Sequence, residues 1–253
     1  MTERQAVLTV RSISRAEDAA YIAMYDVAKA AEQAGVEYRI IGGHMVTLHV
    51  VRTAVDLPLR ETQDADLGVR PEVLSQSRIV AHLENAGYRK VAGNRFVRDG
   101  EGGLKPTIDL LVPARTSRAR TQVVGELVVD EVPGLAFALR RQACDLVIEA
   151  TLTDESRLHI DVPVPNIIAA LVLKALAYRQ RYASKDLSDL WRLLLVAKRD
   201  GVGPTDWPTH PEVHHAVEVM RQLSLGKSVI LRGALEPPRV NELRALIARI
   251  VGS

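Results

Sequence analysis

Val36-Glu37-Tyr38-Arg39-Ile40-Ile41-Gly42-Gly43 is the stretch on which the fold turns. Its first six residues read as a short strand. The glycine pair interrupts that strand before a mostly apolar segment, residues 44–51, which reads as a helix. Glycines at a strand-to-helix turn let backbone N–H groups approach an anion closely, and the helix start adds partial positive charge. Taken alone, such a pair is an ordinary tight turn.

Working outward, residues 16–33 carry Ala19, Ile22, Met24, Tyr25, Ala28 and Ala31 near helical spacing, and Gly35 can end that helix in left-handed geometry. Downstream, Asp64-Ala65-Asp66-Leu67-Gly68-Val69 alternates polar with apolar as a half-buried strand does. Pro71 opens a helix carrying Leu74, Ile79, Val80 and Leu83, which Gly87 closes. Residues 88–91 and 95–98 flank a Gly93-Asn94 turn as a hairpin, and Thr107-Ile108-Asp109-Leu110-Leu111-Val112 is a further strand that stops at Pro113.

Residues 115–120 read as a linker, and 123–164 as short β-prone runs with one short helix around 136–144. Beyond Pro165 the pattern is helical. Asn166 caps a helix running through Lys174 to Tyr182, Ser184 caps another over 185–198, and two more cover 211–223 and 239–251. The expected class is α+β, with a mixed-sheet α/β domain at 1–115 and a mostly helical domain at 116–253.

The chain of 253 residues sets 33 Lys+Arg against 31 Asp+Glu, with 47% hydrophobic and 25% charged residues. That balance excludes a charge-driven disordered tail and a surface that binds nucleic acid all over. Cys144 is the sole cysteine, which excludes an intramolecular disulfide and a Cys-pair zinc site and fits a reduced compartment. The first twenty residues hold no signal-peptide core, and the longest apolar run, residues 167–173, stops at Lys174, well short of the roughly 20 residues that span a bilayer. A cytoplasmic protein without membrane spans is expected.

Residues two apart on a strand share a face, so Asp64 and Asp66 present two carboxylates side by side. Adjacent carboxylates repel unless a cation joins them. Hard oxygen ligands with coordination positions left for phosphates suit Mg²⁺. A third carboxylate on a later strand, Asp109, would bind a second metal or act as base for an attacking hydroxyl.

In combination these features resemble a known family. The order strand, Gly42-Gly43, helix, Arg60-x-Thr62-x-Asp64-x-Asp66, then a strand Asp, is similar to the nucleotidyltransferase superfamily related to DNA polymerase β. The 20-residue spacer between Gly43 and Asp64 is similar to that of the AbiEii branch, the toxins of abortive-infection and MenT-type toxin–antitoxin systems. So are Leu173-Lys174-Ala175-Leu176-Ala177 and Lys185-Asp186-Leu187-Ser188-Asp189-Leu190. The resemblance implies that Gly42 and Gly43 hold a nucleoside triphosphate, that Asp64 and Asp66 hold Mg²⁺ with Asp109 as third acid, that Lys174 meets the phosphates, and that Asp186 completes the pocket. It further implies transfer of a nucleotide to a tRNA 3′ end and a cognate antitoxin. Transfer to a small molecule or a protein hydroxyl, and a non-catalytic nucleotide-binding protein, are the alternatives.

Independently of the family, a Lys inside the apolar run around 171–176 needs an exposed face or an anionic partner. Two departures stand out: His44 follows the glycines where many relatives carry a small residue, and Asp161 in His159-Ile160-Asp161-Val162 competes with Asp109 as third acid. Lys90, Arg95, Arg98, Lys105, Arg115, Arg118 and Arg120 are candidates for a surface that grips an RNA backbone. Gly226-Lys227-Ser228 lacks the first glycine of a phosphate loop, since Arg221 stands there, and His210, His214 and His215 lack a partner that would complete a zinc motif.

Overall fold

The computed structural model describes residues 7–58, 61–76, 78–225 and 237–252. Strand β1 (Val7–Arg11) leads through Ser14 into helix α1 (Arg15–Ala34). The Ser14 hydroxyl accepts the Glu17 N–H at 3.2 Å, and Gly35 closes the helix at φ +63°. The buried face of α1 carries Ala20, Met24, Val27 and Ala31, spaced as an amphipathic helix requires. Strand β2 (Tyr38–Ile40), helix α2 (Gly42–Arg52) and strand β3 (Ala65–Val69) follow.

The segment after Pro71 is two helices, not the one expected: α3 (Pro71–Ser75) and α4 (Arg78–Asn85), with Gly87 beyond them at φ +88°. The hairpin forms as β4 (Arg89–Ala92) and β5 (Arg95–Val97), and the next strand as β6 (Thr107–Pro113). Strands β7 (Thr121–Val124) and β8 (Leu127–Val132) precede α5 (Leu135–Arg140), which is shorter than the helix expected over 136–144 because Cys144 already belongs to strand β9 (Ala143–Thr151).

Two sheets result. In the larger, β6 is the hub: β3 runs parallel along one edge, while β5 lies antiparallel along the first half of the other edge and β8 parallel along its second half. The smaller sheet has the order β1, β9, β10, where β10 is Arg157–Pro165. The division expected at residue 115 therefore falls inside the larger sheet, which recruits β7 and β8 from beyond it, while β1 joins β9. Strand β1 was not anticipated, although Leu8 and Val10 alternate with exposed neighbours.

Helices α6 (Ile167–Arg181), α7 (Ser184–Arg199), α8 (Pro211–Leu225) and α9 (Pro237–Val251) pack together at the C-terminal side. Asn166 caps α6 by accepting the Ala169 N–H at 3.0 Å. Ser184 is the first residue of α7 rather than its cap, which is Ala183. Helix α2 is the joint between sheet and bundle. It packs on β3, α6 and α7, and its buried His49 Nε2 lies 2.8 Å from the carbonyl oxygen of Pro165, just ahead of α6. One continuous apolar core runs from Leu8 to Val251 through both halves. No helix among the described residues is long and apolar enough to cross a membrane. Gly226-Lys227-Ser228 lies outside the described residues.

Candidate active site

The turn between β2 and α2 places the first element. Ile41 is extended, its N–H donates to the Asp66 carbonyl at 3.0 Å, and the chain then enters α2 at Gly42 with φ +68°. No side chain caps this helix, so the N–H groups of its first turn, which have no partners within the helix, remain the donors at that end. A Cβ built on Gly42 would fall 1.7 Å from Asp66 Oδ2. Glycine is thus required twice, by the dihedral and by the carboxylate lying against the backbone. Gly43, one step on, is buried.

The carboxylates come from the alternation of two parallel strands. On β6, Ile108, Leu110 and Val112 are buried in the core, which turns Asp109 and Leu111 to the opposite face. On β3, Ala65 and Leu67 face the core and Asp66 does not. The register sets Asp66 directly beside Asp109, and Arg95 on β5 on the other side of Asp109, in one row across three strands. The Arg95 guanidinium grips Asp109 with two bonds, Nε to Oδ1 at 2.8 Å and Nη2 to Oδ2 at 2.6 Å. The same Nη2 reaches Asp64 Oδ2 at 3.2 Å. Withdrawal from water, then the like charges of Asp64 and Asp109, push the Asp66 carboxyl up to about 7 against the pull of Lys174 and Lys185. The carboxylate bonds of Asp109 hold the Arg95 guanidinium above its ordinary range.

These residues fit a hard divalent cation in a limited form. Asp66 and Asp109 offer neighbouring carboxylate oxygens, and crowding leaves Asp66 short of positive charge, the situation a cation relieves. Among the described residues, however, no three His, Cys, Asp or Glu side chains are gathered as one cage. Asp64 is turned to Arg95 instead.

A second wall is built by α6 and α7. Lys174 is buried, and the anionic partner its position demands is internal: Nζ lies 2.8 Å from Asp189 Oδ2 and 3.8 Å from Asp186 Oδ1. Arg181, two helical turns beyond Lys174, clasps Asp186 through Nε at 3.0 Å and Nη2 at 2.7 Å. Asp186 and Asp189 are wholly buried, so Asp186 stands behind the pocket wall and anchors the two cations.

Gly42, Asp66, Asp109, Lys174 and Arg181 line one cavity of about 510 Å³, together with Arg120, Asp130 and Glu131. Asp64 and Arg95 line a second cavity of about 410 Å³, with Arg15, Gln63, Lys105 and Thr107. The bond from Arg95 to Asp109 therefore joins the two. His44 lines neither cavity; it is buried with its ring 5.5 Å from that of Tyr21. Asp161 sits on β10 in the other sheet, exposed and 3.6 Å from His159 Nε2, away from the carboxylate row.

Part of the expected RNA-gripping surface is neutralised internally. Arg98 pairs with Asp26 at 2.7 Å and Lys105 with Asp99 at 2.6 Å, while Lys90 donates to the neutral Glu126 carbonyl at 3.4 Å and keeps its charge. Arg115, Arg118 and Arg120 are exposed on a segment that Gln180 of α6 ties down through the Ser117 carbonyl and the Ala119 N–H. Sequence reasoning missed the site roles of Arg95, Arg181 and Asp189. The i, i+7 spacing of Lys174 and Arg181 was a usable signal; the pairing of Arg95 with Asp109 was not, because a loop of unspecified geometry separates their strands.

Solved structures similar to the chain include the following two. One is an antigenic nucleotidyltransferase-like protein from Paracoccidioides brasiliensis, 14% identical at a TM-score of 0.45, covering 89% of this chain and 97% of that one. The other is the antibiotic-resistance factor ANT(2'')-Ia, 16% identical at a TM-score of 0.33, covering 88% of each chain. No protein-family model and no curated protein matches the chain.

Proposed function

We propose that the chain is a nucleotidyltransferase that moves a nucleoside monophosphate from a nucleoside triphosphate to an acceptor hydroxyl and releases pyrophosphate. The observation that carries this is the apposition of Gly42, at the uncapped start of α2, with Asp66 and Asp109 in register behind it. Helix N–H groups suit the triphosphate, and carboxylates placed beside them suit a metal that phosphate oxygens complete.

In this reading Gly42 and Gly43 hold the phosphates at the helix start, with Lys174 and Arg181 on the facing wall. Asp66 and Asp109 would hold Mg²⁺, with Asp64 as the third carboxylate of the row, and the ion would supply positive charge against the triphosphate. Asp109, beside the junction of the two cavities, takes the proton of the acceptor hydroxyl as its oxygen bonds to the α-phosphorus. The α–β phosphoanhydride bond breaks and pyrophosphate leaves. The task of the protein is chiefly alignment of the two reactants.

For the acceptor we infer the 3′ end of tRNA, with the chain acting as a toxin-type enzyme beside a cognate antitoxin. Arg120 lines the larger cavity, and Arg115 and Arg118 are exposed on the same segment; their guanidinium groups support a polyanion. Asp130 and Glu131 in the same lining favour a second reading, a cationic small hydroxylated acceptor. Incubation with Mg²⁺, each α-labelled nucleoside triphosphate and total tRNA, followed by gel separation, tests the first: label in RNA that is lost in Asp64→Ala is expected. Label on an aminoglycoside-like polyol and none on RNA would replace it with the second.

A further inference from the structure

We propose that Arg95 is a resident counter-cation of the carboxylate row, one that a divalent metal ion must displace before the site is competent. The inference rests on the nucleotidyltransferase reading and deepens it.

Three carboxylates meet at one end of the sheet, and a single guanidinium answers two of them. It makes the bidentate grip on Asp109 and reaches Asp64 at 3.2 Å. Among the described residues those are its side-chain bonds, and all go to groups assigned to the metal. Arg98, three residues on, shows the contrast: it turns away to Asp26, which Tyr88 also holds, and belongs to the scaffold.

The Arg95 side chain is 46% exposed, against 13% for Asp109. The cation can therefore leave while the carboxylate stays. The two-point fork on Asp109 is stronger than an ordinary exposed ion pair, so its displacement has to be driven by the incoming charge. On release the guanidinium stays in the second cavity, which Arg15 and Lys105 also line, without unpacking the core. The exchange replaces one positive charge by two and breaks no covalent bond. It also accounts for the missing three-carboxylate cage: Asp64 is held by Arg95 until the ion arrives.

The test uses the full chain without nucleotide and Mn²⁺ as probe, with free Mn²⁺ read by electron paramagnetic resonance. Wild type, Arg95→Gln, Arg95→Lys and Asp109→Asn are compared. Arg95→Gln is expected to bind Mn²⁺ about tenfold tighter than wild type, a difference of about 1.4 kcal/mol. Arg95→Lys, which keeps the charge but loses the fork, should fall between them. In EDTA, Arg95→Gln should melt about 2–4 °C below wild type, and saturating Mn²⁺ should close the gap. Equal or weaker Mn²⁺ binding by Arg95→Gln, with wild type binding normally and Asp109→Asn not, overturns the exchange alone. Absence of Mn²⁺ binding in every protein overturns the metal reading of the site, and the exchange with it. If Arg95→Gln does not fold, Arg95→Lys decides: tighter binding than wild type is expected, and equal binding overturns the proposal.

Discussion

Oδ2 of Asp66 lies 1.7 Å from the position a Cβ on Gly42 would take, so the carboxylate fills the volume that only glycine leaves. Strand register makes the meeting unavoidable. Ile40 pairs with Leu67, so Ile41 and Asp66 come next across the ladder and Gly42 follows at φ +68°. The start of α2 and the carboxylate row are thereby fixed to one another by backbone geometry.

Gly42→Ala should therefore fail twice, through strain at a left-handed dihedral and through displacement of Asp66. We expect a stability loss of about 1–3 kcal/mol and a fall in kcat/KM of at least about a hundredfold, the scale of misplacing a reacting group by about 1 Å. Gly35→Ala is the control. Its φ is +63° with no atom near the added carbon, so it should cost about 1 kcal/mol in denaturant unfolding and leave kcat/KM unchanged.

Lys174→Met removes the cation 2.8 Å from the fully buried Asp189 and should destabilise the chain by about 3–5 kcal/mol. Adding Asp189→Asn removes the buried negative charge that faced Lys174 and should recover part of that stability. If Lys174 also meets the phosphates, KM for the nucleotide stays raised in the double variant. Recovery of both stability and KM would make Lys174 purely structural.

Asp66 gives a pH signature. Its carboxyl moves from 3.8 up to about 7 on folding, so between those values the folded chain holds a proton that the unfolded chain has lost. Stability from this group is then complete below about 4, declines as pH rises, and levels off above about 7. The melting temperature of wild type minus that of Asp66→Asn, in EDTA, should fall over that window. Buried His49, lowered from 6.5 to about 4, acts in the opposite direction, with stability lost as pH falls below 6.5. It is common to both proteins and cancels in the difference. A flat difference curve would contradict the environment assigned to Asp66.

Much of this was legible in local pattern. The glycines, the Asp64-x-Asp66 alternation and the β6 strand follow from periods of two residues and from turn chemistry, and α1 appears within one residue of its expected ends. What was not legible depends on long-range register. Arg95 read as one of the cations of an RNA-gripping surface, because its meeting with Asp109 is set by how β5 returns on β6. Asp186 read as a pocket residue, yet its burial behind Lys174 and Arg181 follows from the packing of α7 on α6. Position 115 lies within the larger sheet for the same reason: β8 completes an edge of β6 that sequence order leaves open.

The most direct test of the central claim follows the phosphorus. Nucleoside triphosphate labelled at the α or the γ position is incubated with Mg²⁺, acceptor and wild type, Asp66→Asn or Asp109→Asn. The account predicts α label on the acceptor with equimolar pyrophosphate, and a drop of about 10²–10³ in either variant. Transfer of γ label with a nucleoside diphosphate as product, or α transfer undiminished in both variants, would contradict it.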